Sequence, residues 1–536
     1  MKRNVEAIIV IVLILLFAVH TATSQRIEGR VYVDKNENGV LDKGEIGLKG
    51  VLISNGIDIV KTDGQGYYEL NQLGHTPIFM IKPSGYRSTV LHLDQPSFYE
   101  NPNNRKGNQI LFGVHRQEES SKTRIVLLGD TQPHNMDEIY YVLRTAIDEI
   151  KVEDFDFSIV LGDIVSDNPV VFPLLKEVIS TTGRPSYYTF GNHDLDWEFH
   201  HPGAEKDWDV DFIKNLGPTH YALGWGNTNL LTINNINVLG KAKGYDYTIR
   251  EGQLRFIENY LSHLKKDDLL VVTAHGSPNR IDNKQEFYQL FKGFTHVLFV
   301  HGHHHKTENY FLGKEEGWPN ETPAQCIDVG AVCGGHWRGE EDMFWIPSAT
   351  MVDGSPKGYV FLDINGKEYQ VAYKASGMSK QKQMHLYTPD YLTWDKNFVT
   401  KNPTAGQSFY ANIYLGSEQT NVTYRVDGGE WKAMQKVVEP DPFLKRTMLR
   451  QKLGILPTEG SRKLKRDYDN MGLCSHLWKA NCPPGLSYGV HELEVRFTDP
   501  IIYNDSQRCG FIYLSPEYKE IDKELNTRYK EWVERQ

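Results

Sequence analysis

The spacing of apolar residues changes along the chain, and the changes divide it. Over residues 25–114 apolar residues fall in short runs, at 31–33, 51–54 and 67–70, separated by Gly, Asp and Asn. Short runs bounded by turn residues predict strands, so this part reads as all-β. A polar stretch at 115–123 reads as a linker. From residue 124, strand-like runs alternate with helical spacing. Strands are predicted at 125–128, 158–161, 187–190, 230–233, 269–273 and 297–300. Helices are predicted at 136–150, 171–179, 253–264 and 285–291; Leu254, Ile257 and Leu261 share one face of the third. Such alternation builds an α/β layer protein. After Phe311 the helical spacing stops. Two runs joined through Asn365-Gly366 predict a β-hairpin. From about Met378 onward the pattern is β-rich, with sandwich-like alternation at 409–414, 422–426 and 493–497 and a loop or short helix within 440–472.

At 536 residues the chain is long enough for about three domains. The expected division is residues 1–24, a targeting segment; 25–118, a β-domain; 119–375, the α/β domain; and 376–536, a β-rich domain. The targeting segment is read from Lys2 and Arg3, an apolar stretch at 7–19, and small residues Ala22 and Ser24 placed for cleavage before Gln25. The mature protein is therefore expected to be exported, to the periplasm, the cell surface or the medium, with no transmembrane segment after cleavage. Export permits disulfides, and Cys474 and Cys482, flanking a short segment, are the expected pair; five cysteines make no disulfide framework. The net charge of −10, with no basic patch, argues against a nucleic-acid partner. A monomer or small oligomer is expected.

Two constellations carry chemistry. Residues 34–45 fit the calcium-loop spacing D-x-N-x-N-G-x5-E. Asp34, Asn36, Asn38, Asp42 and Glu45 would offer side-chain oxygens, Val40 its carbonyl, and Gly39 the bend, for a structural Ca²⁺. The second constellation lies at the ends of the α/β strands. The first run ends in Gly129-Asp130-Thr131-Gln132, the second in Gly162-Asp163, and the third in Gly191-Asn192-His193-Asp194. The fifth ends in Ala274-His275-Gly276, and the sixth in His301-Gly302-His303-His304-His305. Open α/β sheets form their sites beyond the carboxyl ends of strands, and His, Asp and Asn delivered there by five strands read as metal ligands.

This set resembles the calcineurin-like metallophosphoesterase superfamily, whose pattern is D-x-H, G-D, G-N-H-[DE], H, G-H-x-H. The likeness extends to a bacterial three-domain branch with β-domains before and after the core, through residues 38–56, Gly335-His336-Trp337, Asp353-Gly354 and Ser475-His476-Leu477-Trp478. The resemblance implies an αββα sandwich flanked by an N-terminal β-sandwich-like domain and a C-terminal β-rich domain. It implies two divalent metal ions, Mn, Fe, Zn or Mg undistinguished. Asp130, Gln132, Asp163 and His305 would hold the first, and Asp163, bridging, with Asn192, His275 and His303 the second. A hydroxide shared by the metals would attack a phosphomonoester or phosphodiester. His193 would protonate the leaving group, and Asp194 would orient His193 or a ligand. His336 and Trp337 are candidate substrate contacts, and His301 and His304 supporting residues.

Two positions depart from the pattern. Gln132 stands where the family has His, a harder and weaker donor that favours Mn²⁺, Mg²⁺ or Ca²⁺ at the first position; His134 is a candidate substitute. Ser166 stands where purple acid phosphatases place their iron-binding Tyr, which argues against a ferric enzyme. The expected substrate is a small-molecule or a lipid- or glycan-linked phosphoester. A nucleotide or nucleotide-sugar pyrophosphatase is the alternative enzyme, and a glycan- or lipid-binding surface protein with a degenerate core the alternative outside catalysis.

Overall fold

The predicted apolar runs become the central strands of two stacked sheets. The computed structural model describes residues 25–74, 76–90, 96–101, 109–195, 197, 208–240, 242–393, 398, 401–402, 405–456, 469, 471–514 and 516–535. The expected targeting segment lies outside the described residues. One core sheet has the order Ser186–Tyr188, Phe157–Val160, Lys122–Leu128, Gly358–Asn365, Glu368–Ala375. The other runs Tyr221–Trp225, Thr228–Thr232, Leu269–Thr273, His296–His301, Ala324–Val329, Thr307–Leu312. The ligand-bearing strands pair in parallel within their sheets. Phe157–Val160 and Leu269–Thr273 are buried along their whole length, as strands covered on both faces must be. Helices Met136–Val142, Phe172–Ser180, Glu251–Leu261 and Lys284–Gln289 accompany the sheets. The core is thus the αββα sandwich expected.

The first helix shows how closely local chemistry sets the elements. Asn135 adopts an extended backbone and its side chain accepts the Glu138 N–H, a cap that starts the helix. A π turn at Leu143–Ile147 carries it on toward Ile150. The Asn365-Gly366 hairpin forms in the expected register, with Asn365 opposite Glu368, and its first strand lies antiparallel to Lys122–Leu128.

Two four-stranded sheets precede the core and two follow it. The leading pair is anchored through Lys82, which is buried, ion-paired to Glu119 at 2.6 Å and donates to the Gly224 carbonyl at 2.9 Å. Strand Gln109–Arg116 ends only five residues before Lys122–Leu128 begins, so the expected linker shortens to 117–121. Even this piece is fixed, because Glu119 also accepts the N–H groups of Gly85 and Gly226. The trailing sheets dock through buried His476, whose Nε2 bonds Asp353 Oδ2 at 2.9 Å. Trp478 is buried as well, so both act in packing, as expected.

Two expectations fail. All five cysteines are free thiols. Cys474 opens the strand Cys474–Asn481 and Cys482 follows its end, so at about 3.3 Å per residue the extended backbone holds them too far apart to bond. The chain also does not stay β-rich to its end: Pro516–Glu534 is a 19-residue helix, whereas the helix Pro442–Lys452, capped by Asp441, falls where a loop or short helix is expected.

Candidate metal centre

Each predicted ligand follows its strand through a glycine or a sharp bend, and the packing explains why. A Cβ on Gly191 would sit 2.0 Å from the Asp163 backbone nitrogen. A Cβ on Gly162, which has φ +82°, would sit 2.5 Å from His275 Nδ1. The strand ends of the two sheets meet that closely. Asp130, Gln132, Asp163, His303 and His305 all occupy left-handed backbone (φ between 37° and 78°). For residues with a Cβ this conformation costs about 1–3 kcal/mol each, and such strain clusters at functional sites.

Asp163 is the hub. Its Oδ2 lies 3.2 Å from His275 Nε2 and accepts Gln132 Nε2 at 3.0 Å, and its Oδ1 accepts the His193 N–H at 2.8 Å. His275 Nε2 lies 3.2 Å from Asn192 Oδ1 and 3.0 Å from His303 Nδ1, and its Nδ1 donates to the Leu161 carbonyl at 2.8 Å. Asp163, His275 and His303 could hold one ion, their donor atoms lying within 4.8 Å of one another, and Asn192 adjoins them. Asp130 belongs to the first position. Its Oδ2 accepts the His303 N–H at 2.8 Å, while its buried Oδ1 accepts no hydrogen bond and lies 3.6 Å from His305 Nε2. A buried carboxylate oxygen without a donor is the arrangement a cation completes.

Electrostatics follow from burial and crowding. Burial pushes the Asp130 carboxyl well above the usual range. Asp163 is held well below it, because His275 and His193 outweigh the effect of burial. His275 rises to about 10, burial being overcome by Asp163, whereas burial and the His275 charge press His303 down to about 2.

Gln132 is in place, facing Asp163 on one side and Cys333 on the other. Its Oε1 accepts the Cys333 thiol at 3.4 Å. To offer that oxygen to a cation the amide must turn over, which sets Nε2–H against the Cys333 sulfur. His134, the candidate substitute, is exposed and bonded through Nδ1 to the Ser166 carbonyl at 2.7 Å, away from the ligands.

Two assignments change. Asp194 does not orient the His193 ring; its carboxylate accepts the backbone N–H groups of Ile164, Val165 and Gly191 at 2.6, 3.1 and 2.8 Å. It is a positioning residue that ties the Asp163 loop to the Asn192 loop. The His193 ring is instead held by Asp167, at 2.8 Å from Nδ1, and these two carboxylates, Asp163 foremost, raise it to about 9 against burial. Trp337 is buried beneath the first loop, its indole N–H donating to the Thr131 carbonyl at 3.1 Å, and cannot meet substrate. His336, by contrast, reaches the site, stacked on His305 at 4.1 Å.

Residues 34–45, the expected calcium loop, draw together through hydrogen bonds among their own side chains and backbone. Asn36 and Asn38 amides both donate to Asp42 Oδ2, at 2.9 and 2.8 Å, and Asp34 Oδ2 accepts the Gly39 N–H while its Oδ1 is buried without a partner. Val40 is exposed and its N–H is held by Asn38 Oδ1. Glu45 departs from a bidentate ligand, because its two oxygens accept the N–H groups of Lys35 and Asp42.

Sequence reading missed Asp167, Cys333 and Tyr247, whose hydroxyl bonds His303 Nε2 at 2.9 Å. Asp167 stands four residues after Asp163, and that proximity is the signal that could have found it. Cys333 and Tyr247 carry no such signal.

Residues 123–307 match the family model for calcineurin-like phosphoesterase, residues 35–117 the model for the N terminal of calcineurin-like phosphoesterase, and residues 328–502 that for its C terminal. Solved structures similar to the chain include a purple acid phosphatase from yellow lupin (Lupinus luteus) seeds, at 13% identity and TM-score 0.33 over 61% of this chain and 67% of that one. PhoD is similar at 8% identity and TM-score 0.34, over 73% and 90% of the two chains. The phosphopantetheinyl hydrolase of Mycobacterium tuberculosis is similar at 13% identity and TM-score 0.25, over 42% and 95%. No curated protein matches the chain.

Proposed function

We propose that this chain, which belongs to the calcineurin-like phosphoesterases in the branch with N-terminal and C-terminal domains, is an exported hydrolase of phosphomonoesters or phosphodiesters working with two divalent cations. The family makes it a phosphoric ester hydrolase. The observation that carries the finer reading is the convergence of the ligand side chains around Asp163, with the Asp130 Oδ1 oxygen left without a donor. Asp130, Gln132, Asp163 and His305 would hold one cation, and Asp163, Asn192, His275 and His303 the other. Bound cations supply a water nucleophile at neutral pH and neutralise the phosphate.

The chain's own residues do the rest. Asp167 holds His193 through Nδ1, leaving Nε2 to face a leaving oxygen, and the nearby carboxylates keep the ring protonated. His193 then donates its proton as the ester bond breaks. Asp194 fixes the loops from which Asp163 and His193 project. A donor set this complete favours an enzyme over a degenerate binding core.

The test is hydrolysis of p-nitrophenyl phosphate, bis(p-nitrophenyl) phosphate and a nucleotide-sugar by reconstituted protein, with and without chelator. Chelator-sensitive turnover of the mono- or diester is expected. Turnover confined to the pyrophosphate overturns the ester reading, and failure on all three overturns the hydrolase.

A further inference from the structure

A second donor cluster stands beside the first, on the far side of His303. Strand register sets His301 opposite Asp328 on neighbouring parallel strands. Asp328 Oδ2 lies 2.9 Å from His304 Nδ1 and 3.7 Å from His301 Nδ1, and one donor atom from each residue falls within a 4.8 Å span. His301 and Asp328 are buried, while the His304 side chain keeps 15% of its surface open. The His304 ring is 5.2 Å from that of His303. His303 itself turns its Nδ1 to His275, so the clusters do not share a donor.

We propose that His301, His304 and Asp328 form a third divalent-cation site. Asp328 is a carboxylate with no exposed surface. Its Oδ1 accepts the Gly330 N–H at 3.2 Å, and among the described residues its only ion-pair partners are the two imidazoles. Lys306, close in sequence, is paired with Glu308 at 2.7 Å. A buried carboxylate needs a compensating charge, and two imidazole nitrogens aimed at one of its oxygens supply the other donors of a two-histidine, one-carboxylate set. The surroundings suit this. His301 Nε2 lies 3.2 Å from the Tyr310 hydroxyl, which bonds Ser277 Oγ at 2.5 Å. His301 Nδ1 lies 3.2 Å from the Gly302 carbonyl oxygen and 3.7 Å from Asp328 Oδ2; with Nε2–H held on Tyr310, the outer partner such ligands use, binding a cation would leave Nδ1 unprotonated and facing the ion. The open edge of His304 admits the ion and water. Two nitrogens and one oxygen suit Zn²⁺ among common divalent ions.

The experiment measures Zn²⁺ bound per chain after equilibration with excess Zn²⁺ and desalting, for the whole protein and for His304→Ala. The variant is expected to hold one ion fewer than the wild type, whatever the wild-type count, so the result does not depend on the two-metal reading. Equal counts overturn the proposal. Zn²⁺-edge anomalous scattering from wild-type crystals needs no variant. A peak within ligand distance of His304 Nδ1 and Asp328 Oδ2 is expected, and its absence from an ion-saturated crystal overturns the site.

Discussion

Replacing Asp194 tests whether the centre depends on how its loops are tied. In the wild type one carboxylate oxygen accepts two N–H groups, from Ile164 and Val165, and the other accepts that of Gly191. Bonds to a charged acceptor are worth about 1.5–3 kcal/mol each, and because they share one group they do not add fully. Asp194→Ala is therefore expected to destabilise the loops by about 4–5 kcal/mol. In Asp194→Asn the amide oxygen can keep Ile164 and Val165, but its NH₂ then faces the Gly191 N–H. One bond is lost and two donors oppose, for about 2–3 kcal/mol. A chain with several domains does not unfold in two states, so a local probe is needed. Hydrogen exchange serves: at about 1.4 kcal/mol per tenfold, exchange at Gly191 in the Asn variant should quicken by about 30–150-fold, with Ile164 and Val165 changing far less. Asn192, a proposed ligand, moves with the Gly191 loop, so cation content should fall in parallel. Unchanged exchange together with lost turnover would refute the reasoning, because Asp194 would then act in the chemistry.

Other predictions follow from single contacts. Asp167→Asn frees the His193 ring; turnover of esters with poor leaving groups should fall by about 10²-fold, while p-nitrophenyl phosphate, whose leaving group needs little protonation, should change little. An equal loss on both substrates would remove His193 from the acid role. Cys333→Ala takes away the group that faces the Gln132 amide, and affinity for the first cation should drop about tenfold or more, read by competition with a chelating dye; Gln132→His in the same background should restore it. Calcium at about 100 times its dissociation constant should stabilise the N-terminal β-domain by about 2.7 kcal/mol, and Asp34→Ala should abolish the gain. Tb³⁺ luminescence sensitised by Tyr32, close enough to feel the charges of Asp34, Asp42 and Glu45, reports the same site, and a protein indifferent to Ca²⁺ with no Tb³⁺ signal would leave the loop a plain turn.

The core was legible because its information is local. A buried strand writes an apolar run, the tight exit writes a glycine, and the ligand comes next, so five strand ends announce themselves in sequence. What supports the ligands is not local. Asp167 meets His193 across 26 residues and Cys333 meets Gln132 across 201, and no periodicity encodes such a meeting. For the same reason adjacency in sequence made the His193 ring one expected partner of Asp194, yet in the turn after Gly191 the Asp194 carboxylate faces the N–H groups of Ile164, Val165 and Gly191 while the His193 ring meets Asp167. Cys474 and Cys482 misled because the short segment between them, expected to be a loop, is a strand. The terminal helix did leave a signal, with Leu525, Tyr529 and Trp532 at helical spacing; their exposure shows a pattern with no core behind it, and β context overrode it.

The strained backbone joins these observations. Left-handed conformations at Asp130, Gln132, Asp163, His303 and His305 are unfavourable one by one and persist only where surrounding contacts over-determine them. Those contacts tie the loops to one another rather than to the strands below. The Gln132 N–H donates to the Asp163 carbonyl, the Thr131 hydroxyl to the Ile164 carbonyl, the His303 N–H to Asp130, and the Trp337 indole to the Thr131 carbonyl. Each ligand loop is therefore held by the next, and a change in one should be felt at all. This predicts non-additivity: Thr131→Val and Asp194→Ala act on the same Ile164 segment from opposite sides, and the loss of cation affinity in the double variant should differ from the sum of the single losses by at least about 0.5 kcal/mol. Additive losses, measured by the same competition titration, would mean that the loops are strained independently.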